Sequence, residues 1–390
     1  MKKLVSVSLA AAMVASMTAC GSNNTAETTA AAAADGASFK IGLTGPLTGA
    51  AAAYGNAVVN GAKLAADEIN AAGGANGYTF EVNGQDDEND TEKAINAYNT
   101  LKDWGMQILV GTTTSKPCIA VAAETANDNM FQITPSGSAV ECVANDNVFR
   151  VCFADPDQGT ASAKYIGEHK LATKVAIIYD SSTEYSSGLR EAFVNEAANQ
   201  GIEIVADEAF TADTNTDFSV QLDKAKDAGA ELVFLPIYYQ EASIILKQAS
   251  DKEFAPIFFG CDGMDGILQV ENFDVKLAEG LMLLTPFAAD ATDDLTVNFV
   301  KSYEEAYGET PIQFAADAYD AVYIIKAAME EANVTPDMSA SDICDAMEGV
   351  MTQIKVDGLT GSNMSWTEDG EPEKDPKAVQ VVDGAYKAME

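Results

Sequence analysis

The sequence predicts an α/β chain of two parallel sheets, each covered by helices on both faces. Three observations carry this. Short apolar runs alternate with helical spans from Phe39 onward, and the same rhythm restarts after Asp155–Pro156. Several runs also end in small or hydroxyl residues, as buried parallel strands do where their carboxyl ends open onto a crevice. At 390 residues the chain is long enough for two such units, each with its own core. No sequence repeat relates the two halves.

The N-terminus stands apart from this pattern. Lys2 and Lys3 precede an apolar segment, Leu4 to Met17, too short to span a bilayer and shaped like a secretory signal. It ends in Met17–Thr18–Ala19–Cys20–Gly21, which resembles a bacterial lipobox. Residues 1–20 are then a lipoprotein signal peptide, with Cys20 the acylated first residue of the mature chain. The alternative is a plain signal peptide with an incidental cysteine. Residues 21–38 are rich in Ala, Thr and Ser and read as a flexible tether. No other stretch is long enough to cross a membrane.

The first half then runs in order. Ile41–Leu43 is a strand, and GPLTGAAAAYG a loop of small residues. Val58, Ala62, Ala65, Ala66 and Ile69 share one face of a helix that stops at Gly73–Gly74. Phe80 and Val82 alternate as a strand. QDDEND reads as a solvated loop whose Asp90 caps the helix carrying Ile95, Tyr98 and Leu101. Two apolar runs, Ile108–Val110 and Met130–Ile133, end in GTTTS and TPSGS. Ser115, with Pro117 in the following turn, is placed as a helix N-cap. Free N–H groups, hydroxyls and the positive end of a helix dipole there suit a carboxylate. Ser136–Gly137–Ser138 lies alongside if the two strands pair. A further strand is placed at Val148–Phe153.

In the second half a helix with Ala161, Tyr165 and Ile166 leads to strand KVAIIYD and the loop SSTEYSSG. A helix ending at Gly201, strand IEIVA, and a helix around Phe218–Ala228 follow. Strand ELVFLPI carries the loop residues Tyr238 and Tyr239, and strand PIFFG ends at Cys261–Asp262–Gly263. After strand LMLLT come helices near Asp294–Tyr307, Phe314–Ala332 and Ser341–Val350. The tail holds GLTG, a turn around Trp366 and the apolar run AVQVV.

Composition removes whole classes of function. Lys and Arg number 23 against 60 Asp and Glu, a net charge of −37. Such acidity argues against nucleic acid or an anionic membrane surface as a partner. The one histidine, His169, lies in a polar helical stretch without a nucleophile or orienting acid in recognisable context. There is no G-x-S-x-G elbow, no G-x-G-x-x-G after a strand and no P-loop. The run Asp86–Asp90 lacks EF-hand spacing, and no cysteine spacing resembles a zinc site. No catalytic residue, metal or cofactor is predicted. Five cysteines follow Cys20, so intramolecular pairing cannot be complete. Cys118 and Cys142 follow the two hydroxyl loops and can meet, free or as a disulfide, while Cys152 reads as a buried thiol.

What stands out instead is Tyr54, Ser115, Ser136, Ser138, Tyr185, Tyr238 and Asp262, all at predicted strand ends. Singly, tyrosines pack, serines cap and an aspartate bonds its own turn. Together they meet the needs of an amino acid: hydroxyls and N–H groups for the α-carboxylate, a carboxylate for the ammonium, aromatic walls for an uncharged side chain.

GPLTGAAAAYG, DEINAAGG, LVGTTTS, ITPSGS, DPDQGTASAKYI and the loop with Tyr185, in that order, resemble the leucine/isoleucine/valine-binding family, solute-binding lipoproteins of ABC importers. The resemblance covers Phe39 to about Tyr386. It implies the type I periplasmic-binding-protein fold, two Rossmann-like lobes joined by a hinge of three crossings that closes on the ligand. Lobe 1 would take 39–156 plus 286–357, and lobe 2 157–285 plus 358–390. Ser115 and Ser138, with the Ser136 backbone, would bind the α-carboxylate and ammonium, and Asp262 would be the ammonium-binding acid. Tyr54, Tyr185, Tyr238 and Phe314 would line the side-chain pocket. Asp262 stands where the family often has the longer glutamate, and Lys116 where small hydroxyl residues are common. The implied protein is a monomer, exported and lipid-anchored, that passes an amino acid, branched-chain or related, to a permease. A ligand-sensing surface receptor and an exported α/β enzyme are the other readings.

Overall fold

The computed structural model describes residues 36–374 and 376–389. The signal segment, Cys20 and most of the tether lie outside the described residues. The chain begins with β1 (Ser38–Gly45), α1 (Ala52–Ala71), β2 (Thr79–Asp86), α2 (Thr91–Trp104), β3 (Ile108–Val110), α3 (Ser115–Asp128), β4 (Phe131–Thr134) and β5 (Val148–Arg150). It continues with α4 (Asp155–Glu168), β6 (Lys174–Asp180), α5 (Glu184–Ala197), β7 (Glu203–Phe210), α6 (Ser219–Asp227), β8 (Leu232–Leu235), α7 (Tyr239–Asp251), β9 (Ile257–Gly260) and β10 (Met282–Thr285). Last come α8 (Asp294–Tyr307), α9 (Gln313–Ala332), α10 (Ala340–Met351), β11 (Ser365–Trp366), β12 (Pro372–Glu373), β13 (Lys377–Val382) and β14 (Ala385–Ala388).

Two sheets result. In lobe 1 the order is β2-β1-β3-β4-β5, every pair parallel. In lobe 2 it is β14-β13-β10-β9-β8-β6-β7, parallel except for the antiparallel pairs made by β13. All residues of β3, β4 and β8 are buried, as expected of strands covered on both faces. The predicted stripe of α1 is fully buried. That helix lies against α9 so closely that a Cβ at Gly61 would stand 2.1 Å from the Ala315 carbonyl oxygen. Asp90 caps α2 as read from the sequence, accepting from Lys93 N at 3.0 Å, and Gly105 closes that helix at φ 90°.

Several local expectations are corrected. The small-residue loop is shorter than read: α1 already starts at Ala52 and carries Tyr54 in its first turn. Thr114, not Ser115, precedes α3 as its N-cap. β5 ends at Arg150 rather than Phe153, because Thr134, its last partner on β4, pairs with Arg150. QDDEND is not merely solvated. Asp86 accepts from Leu47 N (2.8 Å) and Thr48 Oγ1 (2.6 Å), tying down the loop after β1, and Asp87 is fully buried. Cys118 and Cys142 do meet, as buried free thiols in contact rather than as a disulfide.

The chain passes between the sheets after β5, after β10, and before β13. The last passage lies later than the sequence placed it. Residues 358–374 bond to lobe 1: Leu359 N and Thr360 N donate to Asp320 on α9, and Trp366 Nε1 donates to Arg150 O. Gly370 O accepts from Arg150 N at 3.1 Å. Only from Lys377 does the chain join the second sheet. No helix among the described residues is long and apolar enough to cross a membrane.

Candidate functional site

The predicted site residues converge because they follow strands of parallel sheets. Ser115 follows β3, Ser136 and Ser138 follow β4, Tyr185 follows β6, Tyr238 follows β8 and Asp262 follows β9. Both lobes therefore present their carboxyl strand ends to the space between them, where open α/β sheets bind ligands. Tyr54, Ser115, Ser136, Tyr185, Tyr238, Asp262 and Phe314 all border one small cavity. Ser138 does not. It sits behind Ser115, with its backbone N donating to Ser115 Oγ at 3.2 Å.

On the lobe 1 side, Ser115 Oγ also accepts from Ala139 N at 3.2 Å, which leaves its own proton to donate. Thr114 makes no side-chain cap, so the first-turn N–H groups of α3 have no cap acceptor. Its hydroxyl turns instead to Asn89 Oδ1 at 2.7 Å. Ser136 Oγ donates to Thr113 O at 2.6 Å, locking the two loops together. The Ser115 proton and the uncapped N–H groups of α3 are the donors an anionic group requires.

On the lobe 2 side, Asp262 is buried and accepts from Tyr185 OH (2.7 Å), Gly263 N (2.7 Å) and Gln158 Nε2 (3.0 Å). Burial raises its carboxyl above the usual range, against those hydrogen bonds, which favour the charged form. The aromatic groups form one cluster spanning both lobes. Tyr54 stacks on Phe314 with centroids 4.1 Å apart and meets Tyr238 edge-on at 5.4 Å, while Tyr185 lies 5.0 Å from Tyr238. Tyr54 OH donates to Gly263 O and accepts from Tyr239 N, and Tyr239 OH accepts from Ala53 N at 3.2 Å. The lobes are thus held together at the aromatic wall.

Ser115, Tyr185 and Tyr238 also border an outer cavity of about 250 Å³, whose rim holds Lys116 from one lobe and Asp180 and Glu241 from the other. Sequence reasoning missed Gln158, which orients Asp262, and Tyr239. It also missed Asp155, a buried carboxylate at the start of α4. His169, by contrast, is exposed and stacks on Tyr165 at 4.0 Å, away from the site. No group of described residues is arranged to hold a metal ion.

The family described as periplasmic binding protein matches residues 38–385. The chain belongs to the periplasmic binding protein family. It is similar to Leu/Ile/Val-binding protein homolog 3 of Brucella melitensis biotype 1, 30% identical over 306 residues that cover 78% of this chain and 82% of the relative. Leu/Ile/Val-binding protein BraC3 of Rhizobium johnstonii is also 30% identical, with the same shares covered. Among solved structures, the branched-chain amino acid transporter substrate-binding protein LivJ of Streptococcus pneumoniae, in complex with isoleucine, superposes with a TM-score of 0.81 at 28% identity. That match covers 90% of this chain and 99% of the other. The fold is therefore the type I periplasmic binding protein fold, with parallel-sheet lobes. As a member of this family the chain is an extracytoplasmic solute-binding protein, and its relatives here are named as binding proteins, not enzymes.

Proposed function

We propose that the chain binds an α-amino acid, branched-chain or related, between its lobes and delivers it to the permease of an ABC importer. One observation carries this most: a buried carboxylate, Asp262, faces hydroxyls and uncapped helix N–H groups across an aromatic cavity. Ser115 Oγ, the Ser136 backbone and the α3 N-terminus receive the α-carboxylate, and Ser138 supports them. Asp262 receives the ammonium. Tyr54, Tyr185, Tyr238 and Phe314 enclose the side chain, in keeping with the names of the relatives and the isoleucine held by LivJ. Thermal-shift screening of all amino acids tests the reading, because ligand at 100 times its dissociation constant stabilises by about 2.7 kcal/mol. No shift with any of them would defeat it.

The anchor belongs to the same reading. Cys20 is the lipid-attachment site and first residue of the mature chain, residues 1–19 are removed, and the monomer is held at the outer face of the cytoplasmic membrane. Cys20→Ser should release the protein from the membrane fraction or block its processing. Unchanged membrane retention would rule out lipid attachment at that residue.

A further inference from the structure

A threonine in extended backbone just before a helix normally turns its hydroxyl onto the first-turn N–H groups. Among the helices preceded by Ser, Thr or Asp, α2, α5, α8 and α10 are capped in this way, by Asp90, Thr183, Asp293 and Ser339. Thr114 has the same extended backbone, φ −107° and ψ 150°, yet it does not cap α3. Its hydroxyl points to the loop after β2 and donates to Asn89 Oδ1. Asn89 is itself held in place. Its N donates to Asp87 Oδ1 at 2.8 Å, Asp87 is fully buried, and the next residue, Asp90, is fixed as the cap of α2. The backbone at Asn89 is left-handed, φ 57°, a conformation that asparagine adopts more readily than most residues.

Two donors are left open as a result. A cap receives the N–H of the second or third helical residue, here Lys116 or Pro117. Pro117 has no N–H, so Lys116 N is the one donor that the Thr114 hydroxyl could take. Cys118 N is already bonded to Thr114 O at 3.0 Å. With the hydroxyl held by Asn89, Ser115 N and Lys116 N have no partner among the described residues, two donors for the two oxygens of a carboxylate. They lie beside Ser115 Oγ, at the wall shared by the inner and outer cavities, and Asn89 borders the outer one.

We propose that Asn89 is a positioning residue for ligand binding: by taking the Thr114 hydroxyl it keeps α3 uncapped, so that Ser115 N and Lys116 N are available to the α-carboxylate. Without Asn89 the hydroxyl turns onto Lys116 N, and the ligand has to displace a cap that the protein makes for itself. Asn89 acts through Thr114, not on the ligand. The proposal rests on the amino-acid reading.

Titration calorimetry of the full chain with leucine compares the wild type, Asn89→Gly, and Asn89→Gly combined with Thr114→Val. Glycine keeps the left-handed backbone at an exposed position, so the fold is retained. Competition from a helix cap should weaken leucine binding by about three- to tenfold in Asn89→Gly. Removing the Thr114 hydroxyl as well should restore wild-type affinity, because no cap is left to compete. Amide exchange in the ligand-free protein gives a second readout. The Lys116 N–H should exchange more slowly in Asn89→Gly than in the wild type, and should return to the wild-type rate in the double variant. Unchanged leucine affinity in Asn89→Gly overturns the proposal and leaves the amino-acid reading standing. A loss that persists in the double variant overturns it too, since Asn89 would then act only by holding its own loop. No heat from the wild type with any amino acid overturns the amino-acid reading, and the proposal with it.

Discussion

Replacing Asp262 by asparagine separates what that carboxylate does for the ligand from what it does for the fold. The side chain keeps its size, and Oδ1 still accepts from Tyr185 OH and Gly263 N, now 2.7 Å away each. The amide of Gln158 can turn to present its oxygen to the new NH₂ group. What is lost is the negative charge. A charge-assisted hydrogen bond in a buried site is worth roughly 1.5–3 kcal/mol, so leucine should bind about ten- to a hundredfold more weakly. Stability should move the other way. Because burial raises the Asp262 carboxyl, the folded protein loses stability as pH rises through that raised value. Asparagine has no such loss, so the melting temperature at pH 7.5 should hold or increase. Titration calorimetry with leucine and with 4-methylpentanoic acid, which lacks the ammonium, is the assay. The variant should discriminate far less between the two ligands than the wild type does. Unchanged leucine affinity would refute the ammonium role and leave Asp262 as a turn residue.

Other consequences can be checked directly. Tyr54→Phe leaves Gly263 O and Tyr239 N without their partner across the lobes, at about 1–3 kcal/mol for each unsatisfied group, so ligand affinity should fall. Small-angle scattering of that variant should show a less compact ligand-free protein than the wild type, and identical profiles would argue against a closing contact there. Burial raises Asp87 to about 7, so the folded state holds a proton that the unfolded state releases near pH ~4, and stability falls as pH climbs between those values. Asp87→Asn should therefore melt higher than wild type at pH 8, with the difference vanishing near pH ~4. Gly61→Ala forces a methyl against the Ala315 backbone and should cost about 1–3 kcal/mol, read as a lower denaturant midpoint at constant slope.

The fold and much of the site were legible because their signals are local. Apolar runs ending in GTTTS and TPSGS mark strand ends without reference to any distant residue, and Asp90 announces its helix by type and place alone. What was hidden depends on contacts far along the chain. Asp155 reads only as the place where the alternation of strands and helices restarts, and it is Gly188 on α5 and Ser138 after β4 that lie against it. Asp87 looks like one of five polar residues in a solvated loop until the chain after β1 folds over it, where its N donates to Gly45 O at 3.0 Å. The hydroxyl of Ser115 was read as a cap for its own helix. It serves the neighbouring loop instead, a choice between two acceptor geometries that spacing cannot decide.

The hairpin of β11 and β12 lies along β5, the outermost strand of the first sheet. A three-residue edge strand presents unpaired backbone groups on which another chain can nucleate. Trp366 and Gly370 occupy those groups at Arg150, from 216 positions downstream in the case of the tryptophan. Until that segment is in place the first sheet has an open flank, however well its five strands have formed. The flank of the first sheet is thus closed by a segment far downstream of its own last strand, which makes a long-range contact the guard against misassociation. A chain cut short before residue 365 would keep every strand of that sheet and leave its β5 edge uncovered.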